Sequence, residues 1–397
     1  MKDKVERWSG LPLEAETQSL SGELGRSLLF THLLQQRVGT DRDAIDRFLQ
    51  PRLGAMADPA LMGDASRAAR RILDAVAADE PMLIYGDYDV DGMTSVALLT
   101  LFFRHGLNHS IRSYLPQRLR DGYGLNIDMI ERFAAEGIRL IITVDNGSSA
   151  VEAAARAQAL GVDLVVVDHH QVSDPEPALF AHLNPNRAAC AYPEEGLAAV
   201  GVAFILLVEL RRQLRVDPRF QLPELRLERF LDLVALGTLV DMAPMRGLNR
   251  ALVRAGLEQL RRSEWPGLRA LCQAQKLQPQ KLRCRDIGFS LGPPLNASGR
   301  LGDPGAGARL LSAESHEEAS TLCERVLEYN RERREIQRAL FEAAEPLAEA
   351  QVEAGRSLIL IGDAGWHQGV VGIIAGRIAE RFQRPTVVLG SPGQRGP

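Results

Sequence analysis

Between residues 81 and 170, short apolar runs alternate with longer amphipathic stretches. The runs sit in MLIYGD, IRSYLP, RLIITVD and DLVVVDHH. The stretches between them are TSVALLTLFFRHG, IDMIERFAAEG and SAVEAAARAQALG, and SRAARRILDAVAAD precedes the first run. Most of the runs are continuously apolar rather than alternating, as in strands buried on both faces, and strand–helix alternation is the pattern of a parallel sheet covered by helices. The pattern therefore predicts an α/β domain over residues 60–255, whose later part, from residue 201 on, is mostly helical and broken at DMAPMRG.

The flanks differ. Residues 1–59 are mixed and helical, and DRDAIDRFLQP ends on a proline stop. Residues 256–352 combine a basic segment, a Gly/Pro-rich stretch read as a loop (LGPPLNASGRLGDPGAGARLL), and one long charged helix from about residue 315, with Pro346 as a candidate kink. Residues 353–397 start a second, smaller α/β unit of one strand–helix–strand crossover. Two strands and one helix do not close a core alone, so this domain reads as incomplete.

Composition narrows the chemistry only slightly. The 397 residues are 45% hydrophobic and 25% charged, with a net charge of −4, so overall charge gives no argument for a nucleic-acid partner. Locally, Arg261, Arg262, Arg269, Lys276, Lys281, Arg283 and Arg285 face only Glu264, which suits either a solvated face or a phosphate-binding surface. The four cysteines form no CxxC pair, so a zinc ribbon or redox dithiol is not expected, and scattered single cysteines suit a reducing compartment. The charged N-terminus MKDKVERWSG lacks an apolar signal core, and the longest apolar run, LAAVGVAFILLV, is too short to span a bilayer. The expectation is a cytoplasmic protein without a membrane partner.

The candidate chemistry lies at the ends of the runs. GDYDVDG carries Asp87, Asp89 and Asp91 at alternate positions, which in an extended chain would share one side. TVDNG carries Asp145, VVDHHQ carries Asp168, His169 and His170, and GTLVDMAPM carries Asp241. Open parallel sheets place their sites at these strand ends. One Asp at a strand end is ordinarily a helix N-cap. A cluster of them is destabilised by mutual repulsion unless cations sit among them. Carboxylates with an imidazole suit manganese or magnesium, and two such ions about 3.5–4 Å apart can share a carboxylate and promote attack on phosphorus. The reaction class so indicated is metal-assisted phosphoester hydrolysis. A dinucleotide fold is disfavoured, because no GxGxxG follows a strand and carboxylates stand where a pyrophosphate needs N–H donors. An EF-hand is disfavoured by the spacing and the missing closing Glu.

These four segments resemble the signature motifs of the DHH phosphoesterase superfamily. LPQRLRDGYGL, NPNRAACAYPEEGLAAVGVAF, LNASGRLGDP and GWHQGVVGIIAGRIAERFQRP extend the likeness, over about residues 48–389, to its bacterial single-strand-specific 5′→3′ DNA exonucleases. The resemblance implies a parallel-sheet domain joined by a long helix to the incomplete second domain, the start of a nucleic-acid-binding unit. It implies Asp89 and Asp91 as metal ligands, with Asp87 as an additional candidate, Asp145 as the carboxylate bridging two ions, and His169 and Asp241 as ligands of the second ion. His170 would contact the scissile phosphate, and Asp168 would orient its segment. Arg118 and Arg300 would bind phosphate, and Asn296 and His367 would face the DNA cleft. Tyr123 and Trp366 are candidate stacking faces. Single-stranded DNA with a 5′ end is the implied substrate, with a single-strand-binding protein and a helicase as candidate partners of a monomeric enzyme. Two departures stand out. Tyr85 occupies a position where some members carry His. The family's chains also continue past residue 397 with a Ser- and Arg-bearing stretch and an OB-type domain, so the chain reads as C-terminally truncated. The alternatives are a phosphoesterase for cyclic dinucleotides or short oligonucleotides, and a non-catalytic DNA-binding relative.

Overall fold

The computed structural model describes residues 15–117, 120–122, 124–220 and 225–390. Three helices lead: α1 (Ala15–Leu24), α2 (Leu28–Val38) and α3 (Arg42–Leu49), packed on Leu20, Leu34 and Ile45. After α4 (Ala65–Ala77), the sheet domain runs β1 (Met82–Tyr85), α5 (Val90–Gly106), β2 (Arg112–Tyr114), α6 (Ile127–Ala135), β3 (Leu140–Val144), α7 (Val151–Ala159), β4 (Asp163–Val167) and β5 (Ala181–Leu183). The strand order is β2-β1-β3-β4-β5, and every pairing is parallel. Strand periodicity sends Leu83 and Tyr85 to one face and Ile84 to the other; likewise Ile141 opposes Ile142. One face meets Ile130 and Phe133 of α6 and Ala153 and Ala157 of α7. The other meets α4, α5, α8 (Ala199–Leu214) and α9 (Leu231–Val240). Both faces are thus covered, which is why these strands are apolar along their whole length.

The chain continues through α10 (Gly247–Leu260), α11 (Pro266–Ala274), a single turn α12 (Cys284–Asp286) and a π-helical turn over Ile287–Leu291. The Gly/Pro-rich stretch read as a loop is instead two helices, α13 (Gly292–Leu301) and α14 (Gly305–Leu311). Of its prolines, Pro293 and Pro294 fall in the first turn of α13, and Pro304 is the N-cap of α14. Some of its glycines are packing positions rather than turns: a Cβ on Gly299 would stand 2.0 Å from the Tyr88 carbonyl oxygen. The long helix α15 (His316–Glu353) starts on an N-cap Ser315 and continues through Pro346. It supplies Leu340, Ala344 and Ala348 to the core of the second unit, β6 (Ile359–Asp363), α16 (Gln368–Phe382) and β7 (Thr386–Gly390). The connecting helix therefore provides the apolar layer that a lone crossover lacks. No described helix is long and apolar enough to cross a membrane.

Candidate metal centre

β1 stops at Tyr85, so GDYDVDG is not an extended row of acids. Asp89 is the N-cap of α5, its Oδ1 accepting from the amides of Asp91 at 2.8 Å and Gly92 at 3.1 Å. The ordinary N-cap role and a place in the acidic cluster thus coincide in one residue. The tight turn requires Gly92, where a Cβ would lie 2.6 Å from the Asp87 carbonyl oxygen. Asp91 lies in the first turn of α5 and points at the start of α8, accepting from the amides of Ala199 at 2.6 Å and Val200 at 2.9 Å. The positive end of a helix is a natural seat for a carboxylate.

The other groups arrive from separate elements. Asp145 directly follows β3 with a left-handed φ of 64°, a conformation Asp tolerates better than most residues. Asp168 follows β4 and precedes His169 and His170, and Asp241 is the C-cap of α9. Together they make three sets of three. Asp91, His169 and Asp241 form one and Asp87, Asp89 and Asp145 another, and these two share no member; Asp145, His169 and His170 form the third and overlap both, with ligand atoms of each set within 4.8 Å of one another. His169 Nε2 lies 3.2 Å from Asp145 Oδ1 and joins the sets. Asp91 therefore groups with His169 and Asp241 rather than with Asp89.

Burial dominates the electrostatics. It pushes the Asp87 carboxyl up to about 7, with Asp89 adding repulsion, and Asp241 up to about 6, again with Asp89. Asp91 and Asp145 are driven upward by burial and then by neighbouring carboxylates. His169 is held below its usual value by burial and by His170, which favours the neutral imidazole. Buried acceptors also stand without donors: Asp87 Oδ1 and both oxygens of Asp145. Such groups are costly unless something positive meets them. Five carboxylates, a neutral imidazole and orphaned oxygens are a donor set that fits a pair of hard divalent cations.

Asp168 differs. Burial raises its pKa, but the hydrogen bond to His170 and the bonds from Ser148 outweigh it and hold the carboxyl below the usual range. Its Oδ1 lies 2.8 Å from His170 Nδ1 and accepts from the His169 amide at 2.8 Å, while Oδ2 accepts from the Ser148 amide at 3.0 Å. This bond raises the pKa of His170. A second layer escaped the sequence reading. Asn184 Nδ2 donates to the His170 carbonyl at 2.9 Å and to Ser148 Oγ at 2.7 Å, and Asn186 donates to the His169 carbonyl. Ser148 Oγ lies 3.0 Å from His182 Nε2. The NPN triplet just after β5 was the available signal, and β5 itself, three residues long, carried no recognisable run.

The remaining candidates gather around α13. Asn296 Oδ1 accepts from the Val90 amide at 3.1 Å, tying α13 to the acidic turn. One turn on, Arg300 donates to the Gly369 carbonyl at 3.1 Å, and His367 caps α16 by accepting from the Gly369 amide at 3.0 Å. Tyr85 turns away from the acids and donates to the Gly124 carbonyl at 3.0 Å on the opposite face of the sheet. It occupies no ligand position. Trp366 is 8% exposed and belongs to the core of the second unit, so it offers no stacking face. Arg118 and Tyr123 lie outside the described residues.

A profile described as the DHH family, N-terminal domain, matches residues 81–238. The single-stranded-DNA-specific exonuclease RecJ of Dickeya dadantii is 40% identical over 353 residues, 87% of this chain and 61% of that protein. A crystal structure of exonuclease RecJ bound to manganese is 30% identical with a TM-score of 0.72, covering 83% of this chain and 81% of that one. The chain belongs to the RecJ family. Thermus thermophilus RecJ, solved in complex with Mn2+, matches 96% of this chain and 53% of its own at 28% identity, with a TM-score of 0.79. This RecJ-family chain therefore spans about 61% of the length of the Dickeya relative. The carboxylate–histidine cluster lies within or just past the region matched by the DHH profile, with Asp241 three residues beyond its end.

Proposed function

We propose that this chain is a metal-dependent, single-strand-specific 5′→3′ DNA exonuclease using two Mn2+ or Mg2+ ions. Asp91, His169 and Asp241 would hold one ion; Asp87, Asp89 and Asp145 would hold the other. The ions, when bound, supply Lewis-acid chemistry at phosphorus. The protein supplies position and charge. Asp168 fixes the His170 ring through Nδ1 and favours its protonated form, suiting it to meet an oxygen of the scissile phosphate. Arg300 and Arg118 would grip phosphate, where guanidinium geometry is apt. Asn296 keeps α13 and Arg300 in register with the acidic turn. A setting in DNA repair and recombination, with a single-strand-binding protein and a helicase as partners of a monomer, belongs to this proposal. The relatives' names and their manganese and magnesium complexes support it.

One observation carries the reading. Asp145, buried with Asp87 and Asp89 and next to His169 of the other set, has two oxygens that receive no hydrogen bond. The test is a manganese-dependent nuclease assay on a 5′-phosphorylated single-stranded oligonucleotide, with Asp145→Ala alongside. A loss of about a thousandfold or more is expected; equal activity of the two proteins would remove Asp145 from the mechanism. A dinucleotide cleaved in preference to the long strand would point instead to a small-substrate phosphoesterase.

A further inference from the structure

Two well-buried arginines sit on carboxylates. Arg71 pairs with Glu80 and Asp163, each at 2.6 Å, and Arg187 pairs with Glu176 at 2.9 Å. Arg333, half-buried on α15, is different. Its Nη1 donates to Gln337 at 2.9 Å and its Nη2 to Asn330 at 2.7 Å, both neutral acceptors. Its Nε is buried with no partner, and among the described residues no carboxylate lies within ion-pair distance of it. The charged groups acting on it are also guanidinium groups, Arg334 and Arg300. The neutral partners fix the direction of the side chain without cancelling its charge. Such an arrangement destabilises the empty fold, because a desolvated cation without a counter-charge is costly.

The position of this cluster gives it meaning. α13 packs along α15, and it carries Asn296, which holds the acidic turn, one turn from Arg300. α13 therefore touches the acidic turn through Asn296 and, one turn later, carries Arg300, whose charge acts on Arg333. We infer that Arg333 joins Arg300 in binding a backbone phosphate of the substrate strand, at a point separate from the metal centre. This rests on the nucleic-acid reading above and adds a residue to it. The shared chemistry is a phosphate monoester or diester; a 5′-terminal phosphate and an internal one are its two sources.

The test is fluorescence anisotropy of the 397-residue chain with a labelled oligothymidylate in EDTA, so that neither cleavage nor metal affinity enters. Matched 5′-phosphate and 5′-hydroxyl strands are compared for wild type, Arg333→Gln and Arg333→Lys. Arg333→Gln should weaken binding about tenfold and lower the salt slope by about 0.7, the value for one phosphate contact on a single strand. Arg333→Lys should retain most of the slope. Without DNA, Arg333→Gln should melt higher than wild type, because it sheds an uncompensated charge. A defect confined to the 5′-phosphorylated strand assigns the terminal phosphate; an equal defect on both strands assigns an internal one. Wild-type binding with an unchanged affinity and slope in Arg333→Gln would overturn the inference alone. A lower melting temperature with an unchanged slope would do the same, by making Arg333 merely structural. No salt-dependent binding by the wild type would overturn the inference and the nucleic-acid reading together.

Discussion

Replacing Asp87 with Asn should stabilise the metal-free protein and weaken its response to manganese. Asp87 is 3% exposed, its Oδ1 has no donor, and burial followed by repulsion from Asp89 raises its pKa from 3.8 to about 7. That rise corresponds to roughly 4 kcal/mol at about 1.36 kcal/mol for each tenfold change in proton affinity. The sign follows from the direction of the rise. The folded state binds the proton more tightly, so the cost is absent below the unfolded pKa and fully present above the folded one. At pH 8 in EDTA the wild type carries the whole cost, and Asp87→Asn, of the same shape, carries none. The variant should gain up to about 4 kcal/mol, less whatever the remaining acids recover by relaxing. Saturating Mn2+ should reverse the order. An ion at a hundred times its dissociation constant contributes about 2.7 kcal/mol to the wild type, and the variant, with one charged ligand fewer, should gain less. Urea unfolding monitored by circular dichroism, in EDTA and in Mn2+, measures both quantities. A variant less stable than wild type in EDTA at pH 8, or one with the same manganese-induced gain, would refute the reasoning.

Three further outcomes follow from particular contacts. Asp232, fully buried and raised to about 7 by burial, lies outside both ligand sets. Asp232→Asn should therefore stabilise the protein progressively as pH rises from about 4 to 7, by the same amount with and without Mn2+, in thermal melts at pH 4 and pH 8. Asn184→Ala strips donors from the His170 carbonyl and Ser148 Oγ, so the urea midpoint should fall by the equivalent of about 1–3 kcal/mol; an unchanged midpoint would show that the clamp adds nothing. Gly299→Ala places a methyl group against the Tyr88 carbonyl oxygen and should cost about 1–3 kcal/mol, with lower Mn2+ affinity in calorimetry as α13 shifts off the acidic turn.

Much of the fold was legible because burial on both faces leaves an unbroken apolar run, as in β1, β3 and β4. The break at Asp241 was also legible, since α9 is largely apolar and ends there. Other features were not. Three-residue β5 is too short for a periodic signal. α13 and α14 were hidden because glycine and proline were weighed as breakers, whereas Pro293 and Pro294 occupy the first turn of α13, Pro304 caps α14, and Gly299 and Gly307 are contact points against Tyr88 and Met93. The alternation of Asp87, Asp89 and Asp91 suggested one extended row; the N-cap bonds of Asp89 wind the chain into α5 instead and send Asp91 to the start of α8. The division of ligands into two sets depends on how α8 and α9 pack against α5, and no local pattern encodes that. Trp366 shows the same limit: its neighbour His367 caps α16, while its own ring fills a core.

The central claim is that these buried acids coexist because divalent cations sit among them. Calorimetric titration of the metal-stripped protein with MnCl2 at pH 8, for wild type and Asp145→Asn, tests it most directly. Two ions bound per wild-type chain, and at most one weakly bound by the variant, is the predicted result. Binding of no ion by the folded wild type, or identical stoichiometry and affinity in Asp145→Asn, would contradict it.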